Sequence, residues 1–342
     1  MELLIVGPSW LGDAVMMGSL VQRLTGKDPA ARITVLAPAY LAPVLERMPG
    51  VAATLANPFA HGALNLGERW RFGRALRGRF DAAIVLPNSL KSALIPFAAR
   101  IPRRTGYVRE GRQLLLTDPR RLDERRVPRL ADRFNLLAEP RGAATPPPAP
   151  PPRLSAQPDR VRATLRRFGL ESGAGAVALC VGAEYGPAKR WPAAHFASLA
   201  RRLAAEGLAA WLLGSPNDAP IGEEIETLAP GASVNLVGRT DLGEAVDLVA
   251  AAAGVVSNDS GLMHVAAALD RPMVALFGSS SPAATPPLSG RAAILSLGLA
   301  CSPCFERRCP LGHLKCLNDL SPERVWAALK AQLGRAAAQE SP

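Results

Sequence analysis

Short runs of consecutive apolar residues alternate along the chain with longer stretches in which apolar positions recur every three or four residues. Residues 3–6, 33–36 and 82–86 in the first half are runs of strand length, as are 177–181, 209–213, 234–237, 254–257 and 273–277 in the second. Helical patterns such as 14–24, 193–205 and 242–252 lie between them. A strand that is apolar at every position leaves no face for water, so it belongs in a parallel sheet covered on both sides. The pattern predicts an α/β protein of doubly wound, parallel-sheet domains.

One segment breaks the alternation. Residues 143–152 read Ala-Ala-Thr-Pro-Pro-Pro-Ala-Pro-Pro-Pro. Proline has no N–H to give a helix or a central strand, so a semi-rigid extended connector is expected here. It divides the chain into a first domain, 1–152, and a second, 153–342, with strand and helix patterns on both sides. Two such domains joined by a linker are expected to leave a cleft between the C-terminal edges of their strands, where open α/β sheets bind ligands.

Composition supports two cores: 48% of the 342 residues are apolar, but only 5% are aromatic, so Ala, Leu and Val fill most of the interior. No apolar stretch reaches the roughly 18 residues of a spanning helix. The opening residues carry no basic leader and too short an apolar run for a signal peptide, so a cytoplasmic protein is expected. The formal charge of +11 favours anionic partners, although a solvated Arg-rich surface accounts for it as well. The arginines are scattered without interleaved aromatics, and no nucleic-acid module is present. An acidic substrate or surface is therefore expected rather than DNA or RNA.

Several polar clusters follow the expected strands. Gly7-Pro8-Ser9-Trp10-Leu11-Gly12-Asp13 comes directly after the first. It is a strand-to-helix turn able to approach an anion but not a GxGxxG dinucleotide loop. Asp13 reads as a helix N-cap or as a general base. Gly182-Ala183-Glu184-Tyr185-Gly186-Pro187-Ala188-Lys189-Arg190-Trp191-Pro192 places Lys189 near a loop tip. An ammonium there can neutralise a leaving diphosphate, or can simply be solvated. Ser257-Asn258-Asp259-Ser260-Gly261-Leu262-Met263-His264 opens a helix at 261–268. Ser260 and Gly261 stand at its anion-favouring N-terminus, with Asp259 as a hydroxyl acceptor and His264 one turn in. The alternative is a capping Asp with a core His. Phe277-Gly278-Ser279-Ser280-Ser281-Pro282 is a polar loop that either lines the same opening or is a plain turn. Cys301, Cys304, Cys309 and Cys316 fall within sixteen residues. They fit a structural zinc site, a redox pair or reduced thiols, and stable disulfides are disfavoured in a reducing compartment. Cys180, inside a strand, reads as a small core residue. Ser321-Pro322-Glu323 begins a C-terminal amphipathic helix.

Taken with Leu86-Pro87-Asn88-Ser89-Leu90-Lys91-Ser92-Ala93-Leu94, these stretches resemble the bacterial ADP-heptose:lipopolysaccharide heptosyltransferases over nearly the whole chain. The stretches at 86–94 and 182–192 are closer to the heptosyltransferase II branch than to its sister branch. The resemblance implies a GT-B fold of two facing Rossmann-like domains, with acceptor on the first and ADP-heptose on the second. It implies inverting transfer of heptose to a heptosyl-Kdo2-lipid A inner core, with no catalytic metal and no cofactor beyond the donor. Asp13 would be the base, and Lys189 would contact the diphosphate. Asp259, Ser260, Gly261 and His264 would hold heptose and phosphates. Asp218 would lie near the ribose and Thr240 near the adenine, while Asn88 and Lys91 would be acceptor contacts. The acceptor would sit in the inner leaflet of the cytoplasmic membrane, giving the positive charge a peripheral membrane role. A C-terminal helix crossing back to the first domain is also implied. A heptosyltransferase I, a later core transferase, a nucleotide-sugar epimerase and a basic surface-binding protein remain as alternatives.

Overall fold

A computed structural model describes residues 1–60, 62–143, 145–146, 148–170 and 175–340, except the side chains of 339 and 340. The chain forms two compact units, Met1–Arg153 and Leu154–Pro342.

The first unit contains strands β1 (Glu2–Val6), β2 (Arg32–Ala37), β3 (Val51–Ala56), β4 (Ala82–Val85), β5 (Arg103–Tyr107) and β6 (Asp118–Arg120). Its helices are α1 (Leu11–Lys27), α2 (Ala42–Leu45), α3 (Leu66–Ala75), α4 (Leu90–Ala98) and α5 (Leu130–Leu136). The second unit opens with α6 (Pro158–Arg167), followed by β7 (Ala176–Cys180), α7 (Ala193–Ala205), β8 (Ala209–Leu213), α8 (Ala219–Leu228) and β9 (Val234–Asn235). It continues through α9 (Leu242–Ala251), β10 (Gly254–Asn258), α10 (Gly261–Ala268), β11 (Met273–Leu276), β12 (Ala292–Leu295), α11 (Lys315–Asn318) and α12 (Pro322–Glu340).

Each unit has one six-stranded sheet, ordered β3-β2-β1-β4-β5-β6 and β12-β11-β10-β7-β8-β9. Among the described residues the strand pairings are parallel, as the apolar runs require. Counted from its own first strand, each sheet follows the same doubly wound path. The winding reverses between β1 and β4 in one and between β7 and β10 in the other. At such a reversal two loops leave the strand ends in opposite directions and open a crevice.

Leu4, Val6 and Val85 meet Phe80 and Ile95 in the first core, and Val177, Leu212 and Val256 meet Phe196 and Leu329 in the second. Each fully buried Leu or Val contributes about 1.5–3 kcal/mol relative to exposure. In α12 the Arg324 N–H donates to Ser321 Oγ at 3.3 Å. The helix packs on α7, β10, β11 and β12 within its own unit. Leu333 comes so close to Gly254 that a Cβ there would lie 2.9 Å from it. No described helix is long and apolar enough to cross a membrane.

The connector is not a free spacer. The Pro150 and Pro151 carbonyls accept from Ser19 Oγ at 2.5 Å and Gln22 Nε2 at 2.8 Å, both on α1. Pro148 O accepts from Arg23 at 3.3 Å. Proline has lost its donor but keeps its acceptor, and Ser19, Gln22 and Arg23 lie on one side of α1 by their three- and four-residue spacing. Positions 144 and 147 of the connector lie outside the described residues.

Candidate active site

A buried polar cluster of the second unit stands at its winding reversal. Lys189, in the loop after β7, reaches Asp259 at the end of β10, with Nζ 2.6 Å from Oδ2. The Ser280 hydroxyl, in the loop after β11, donates to the same carboxylate oxygen. Lys189 Nζ also lies 5.0 Å from the centre of the Tyr185 ring. Asp259 is only 5% exposed. A carboxylate so far from water requires a cation and hydrogen bonds, and here it has both.

Ser260 is the N-cap residue of α10, with Gly261 first in the helix, so the reading of Asp259 as a cap does not hold. Ser260 Oγ lies 3.3 Å from Ser257 Oγ and makes no capping bond. The first N–H groups of α10 therefore have no side-chain cap, and they favour an anion. His264 follows one turn later, 4% exposed. Burial pulls its pKa down to about 4, with Lys189 acting in the same direction and Asp259 partly opposing. It is a neutral imidazole at pH 7, able to donate one hydrogen bond and accept another.

Asn258 holds these loops in register. Its amide donates to Val181 O at 2.8 Å and accepts from Trp191 N–H at 3.0 Å. Trp191 is itself fixed by a bond from Nε1 to Leu320 O at 2.8 Å and by an edge contact with Phe196. Asp218, 3% exposed, accepts from Ser215 N and Oγ at 3.0 and 2.6 Å and from Arg190 at 3.0 Å. A Cβ on Gly182 would lie 2.2 Å from Asp218, so only glycine lets the β7 loop pass this carboxylate. Asp218 is thus wedged between two loops, and Thr240 is half-buried in the turn before α9.

The cysteine loop braces the same region. Its Arg307 carbonyl accepts from Ala188 N–H at 3.1 Å, and its Phe305 carbonyl accepts from the Tyr185 hydroxyl at 2.6 Å. Phe305 N–H in turn donates to Ser279 O at 2.7 Å. Cys301, Cys304, Cys309 and Cys316 are free thiols that line one cavity of about 20 Å³ with Ala188 and Ser279. Among the described residues no three His, Cys, Asp or Glu side chains are grouped to hold a metal. The Leu314 N–H donates to Cys309 Sγ at 3.4 Å and lowers that thiol's pKa, whereas burial raises that of Cys316. Burial pushes the Cys180 thiol up to about 12, as befits an inert core residue.

In the first unit the candidate residues also stand at the reversal, in the loop-to-helix segments that follow β1 and β4. Helix α1 begins at Leu11 with Trp10 as N-cap, three residues earlier than the sequence pattern predicts. Of the two readings of Asp13, the helix cap does not hold, because Trp10 occupies that position. Asp13 is the third helical residue, half-buried in the first turn of α1. Asn88 is exposed, and Lys91 is half-buried in the first turn of α4. Behind them Arg112 is wholly buried. It donates to Tyr107 O at 2.7 Å, to Pro87 O and to Asn88 Oδ1 at 3.1 Å. Burial lowers its pKa to about 10, which still leaves it charged at neutral pH.

The structure thus brings Lys189, Asp259, Ser260, Gly261 and His264 together in the second unit, with Asp218 bonded to the neighbouring Arg190. It puts Asp13, Asn88 and Lys91 on one sheet edge of the first. Asn258, Ser280, Arg190 and Arg112 carry structural weight that sequence reasoning gave them no part in. Ser280 lies in a polar loop that the sequence does single out, but nothing local marks a buried arginine.

A family model described as glycosyltransferase family 9 (heptosyltransferase) matches residues 69–315. The chain is 44% identical to lipopolysaccharide heptosyltransferase 2 of Escherichia coli K12, over 97% of this chain and 99% of that one. It is 46% identical to lipooligosaccharide heptosyltransferase 2 of Haemophilus influenzae, over 87% and 89%. The solved structure of E. coli ADP-heptose lipopolysaccharide heptosyltransferase II superposes with a TM-score of 0.89 at 41% identity, covering 98% of this chain and 100% of that one.

Proposed function

Because the chain belongs to glycosyltransferase family 9, the heptosyltransferases, and has their two-sheet α/β fold, we propose that it moves L-glycero-D-manno-heptose from ADP-heptose onto the heptosyl-Kdo2-lipid A inner core of lipopolysaccharide. The near full-length identity to proteins named lipopolysaccharide heptosyltransferase 2 favours this acceptor over earlier or later ones, and favours transfer over epimerisation.

The observation that carries the chemistry is the Lys189–Asp259 pair beside the uncapped N-terminus of α10. In the proposed reaction the donor diphosphate lies against these N–H groups and shares the Lys189 ammonium. An acceptor hydroxyl, held on the first unit by groups including Asn88 and Lys91, attacks the anomeric carbon. The Asp13 carboxylate takes the hydroxyl proton as the new C–O bond forms. The bond from the anomeric carbon to the diphosphate oxygen breaks with inversion, and ADP leaves with the electron pair. Charge growing on that oxygen is met by Lys189 and the helix dipole, groups already oriented before reaction. Neutral His264 offers a hydrogen bond without adding charge. Asp218 acts by positioning the β7 loop through Arg190, next to the ribose, with Thr240 towards the adenine. The chain's own cations supply the charge stabilisation, so the proposal assigns no catalytic metal and no cofactor other than the donor. The enzyme would work in the cytoplasm against the anionic inner-membrane surface that holds its acceptor.

Release of ADP is the test, with ADP-heptose and lipid acceptors carrying zero, one or two heptoses. Release is expected only with one heptose. Equal release without any acceptor contradicts transfer, and preference for zero or two heptoses contradicts the assigned step.

A further inference from the structure

The cysteine loop of the second unit holds groups for which the proposed transfer has no use. Cys301, Cys304, Cys309 and Cys316 line one cavity of about 20 Å³, room for a single oxygen-sized guest. The Ser279 hydroxyl lines it too, 1% exposed and without a hydrogen-bond partner among the described residues. A buried hydroxyl left unsatisfied costs free energy, which an oxygen placed in the cavity would recover. The four thiols are not alike. Cys316 is buried, Cys304 and Cys309 are half-buried, and Cys301 is exposed. The Leu314 N–H donates to Cys309 Sγ at 3.4 Å, and the N–H groups of Leu311, Gly312 and His313 act on the same sulfur. Together they hold the Cys309 thiol below its ordinary pKa against the opposing effect of burial. Burial, and then the charge of Cys309, Cys304 and Cys301, raises the Cys316 thiol. A sulfur cradled by successive N–H groups and open to solvent is the nucleophilic form of cysteine, and protonated thiols stand around it.

We propose that Cys309 is a site of reversible oxidation by hydrogen peroxide, closing a disulfide with a second thiol of the same cavity and so weakening the donor site. In the first step the Cys309 thiolate attacks one peroxide oxygen. The S–O bond forms, the O–O bond breaks, and hydroxide leaves and takes up a proton as water. The sulfenic oxygen occupies the cavity, within the lining to which the Ser279 hydroxyl belongs. In the second step a neighbouring thiol gives up its proton and attacks the Cys309 sulfur. The S–S bond forms, the S–O bond breaks, and the oxygen leaves as a second water. Two thiols lose two electrons and one peroxide is reduced. In a reducing compartment such a bond is transient, which suits a switch rather than a brace. The coupling to the donor rests on the proposed function; the thiol chemistry does not. The segment just before Cys309 is the one that accepts from the Tyr185 hydroxyl and from Ala188 N–H, next to Lys189. It has no slack, because a Cβ on Gly186 would lie 2.6 Å from Arg307 O. On its other side Phe305 N–H holds Ser279 O, beside the Ser280 that bonds Asp259. A new bond at Cys309 therefore pulls on both loops that supply the Lys189–Asp259 pair.

The test begins on the reduced full-length protein, with each thiol's alkylation by iodoacetamide at pH 7 followed by peptide mass mapping. Cys309 is expected to react about tenfold or more faster than the more exposed Cys301. Stoichiometric hydrogen peroxide should then give a disulfide within one chain that includes Cys309, and a sulfenate trap should label Cys309 first. Alkylation at Cys309 no faster than at Cys301, five thiols still free after peroxide, or only disulfides between chains would each overturn the site. The second measurement is ADP-heptose affinity by calorimetry before oxidation, after it, and after dithiothreitol. Oxidation should weaken binding about tenfold and dithiothreitol should restore it. Cys309→Ser should bind like the reduced wild type and ignore peroxide. Affinity unchanged in a protein mapped as oxidised, a loss that dithiothreitol does not reverse, or an equal loss in Cys309→Ser would overturn the coupling. If the reduced wild type binds no ADP-heptose while Cys309 oxidises as expected, the proposed function has failed and the thiol site stands.

Discussion

The two units wind their sheets in the same order, yet they finish their winding reversals in different ways. In the second unit the polar side chains are buried, Asn258 0%, Asp259 5% and His264 4% exposed, and Asp259 is bonded to Lys189 and Ser280. In the first unit Asp13 and Lys91 are half-buried and Asn88 is exposed, with the buried charge, Arg112, set one layer behind them. On the proposed function the second arrangement is a preformed anion site, with the Lys189 and Asp259 charges already paired. On the same proposal the first presents groups to the acceptor, and its buried hydrogen bonds from Arg112 hold a loop. Such a difference suits a tightly held nucleotide donor on one side and a bulky, incoming acceptor on the other.

The largest effect that would break this contrast lies at Lys189. Lys189→Ala leaves the buried Asp259 carboxylate bonded to the Ser280 hydroxyl but without the Lys189 cation, and a broken buried pair costs about 3–5 kcal/mol. It should lower the melting temperature and abolish ADP-heptose binding by calorimetry. Lys189→Ala/Asp259→Asn should recover stability but not donor affinity. Recovery of both would mean that the pair is structural only.

His264 sharpens the comparison through pH. Its folded pKa of about 4 lies below the ordinary 6.5, so the unfolded chain binds the extra proton between those values. The stability it contributes is fully present above pH 6.5 and is lost as pH falls towards 4, on the order of 3 kcal/mol in total. Denaturant titrations should show that slope in the wild type and a flatter one in His264→Asn. An unchanged slope would place the acid sensitivity elsewhere.

Much of this contrast is invisible in the sequence, for identifiable reasons. The alternation of apolar runs and helical patterns reveals β1, β4, β7, β8, β10 and β11 because these strands are buried on both faces. It misses β3, whose residues are half-exposed or exposed, and β6, where Pro119 is tolerated because the strand is at the sheet edge. Expected strand 234–237 shortens to two residues at the other edge. Strand-end motifs flag Lys189 and Asp259 separately. That one neutralises the other is a contact across seventy positions, which only the shared reversal of β7 and β10 creates. Arg112 has no local signature at all, since its partners are two backbone carbonyls and an amide.

A smaller effect is expected at Asn258. Asn258→Ala leaves Val181 O and Trp191 N–H without this partner, at about 2 kcal/mol. Melting temperature and donor affinity should fall together, because the loop that carries Lys189 is released. Retained donor affinity in a destabilised protein would show that the cradle does not depend on this brace. The smallest effect is expected on the opposite unit. Asn88→Ala should raise acceptor KM a few-fold, about 1 kcal/mol, with donor affinity unchanged. A change in donor affinity would erase the division between the units.

That division is tested most directly by Asp13→Asn, which keeps size and polarity but removes the proton acceptor. ADP-heptose affinity by calorimetry and single-turnover transfer are measured on the same protein. Donor affinity equal to wild type with transfer slowed about 10²–10⁴-fold is the expected result. Transfer at the wild-type rate, or donor affinity lost together with transfer, would contradict a proton acceptor on one unit serving a donor held by the other.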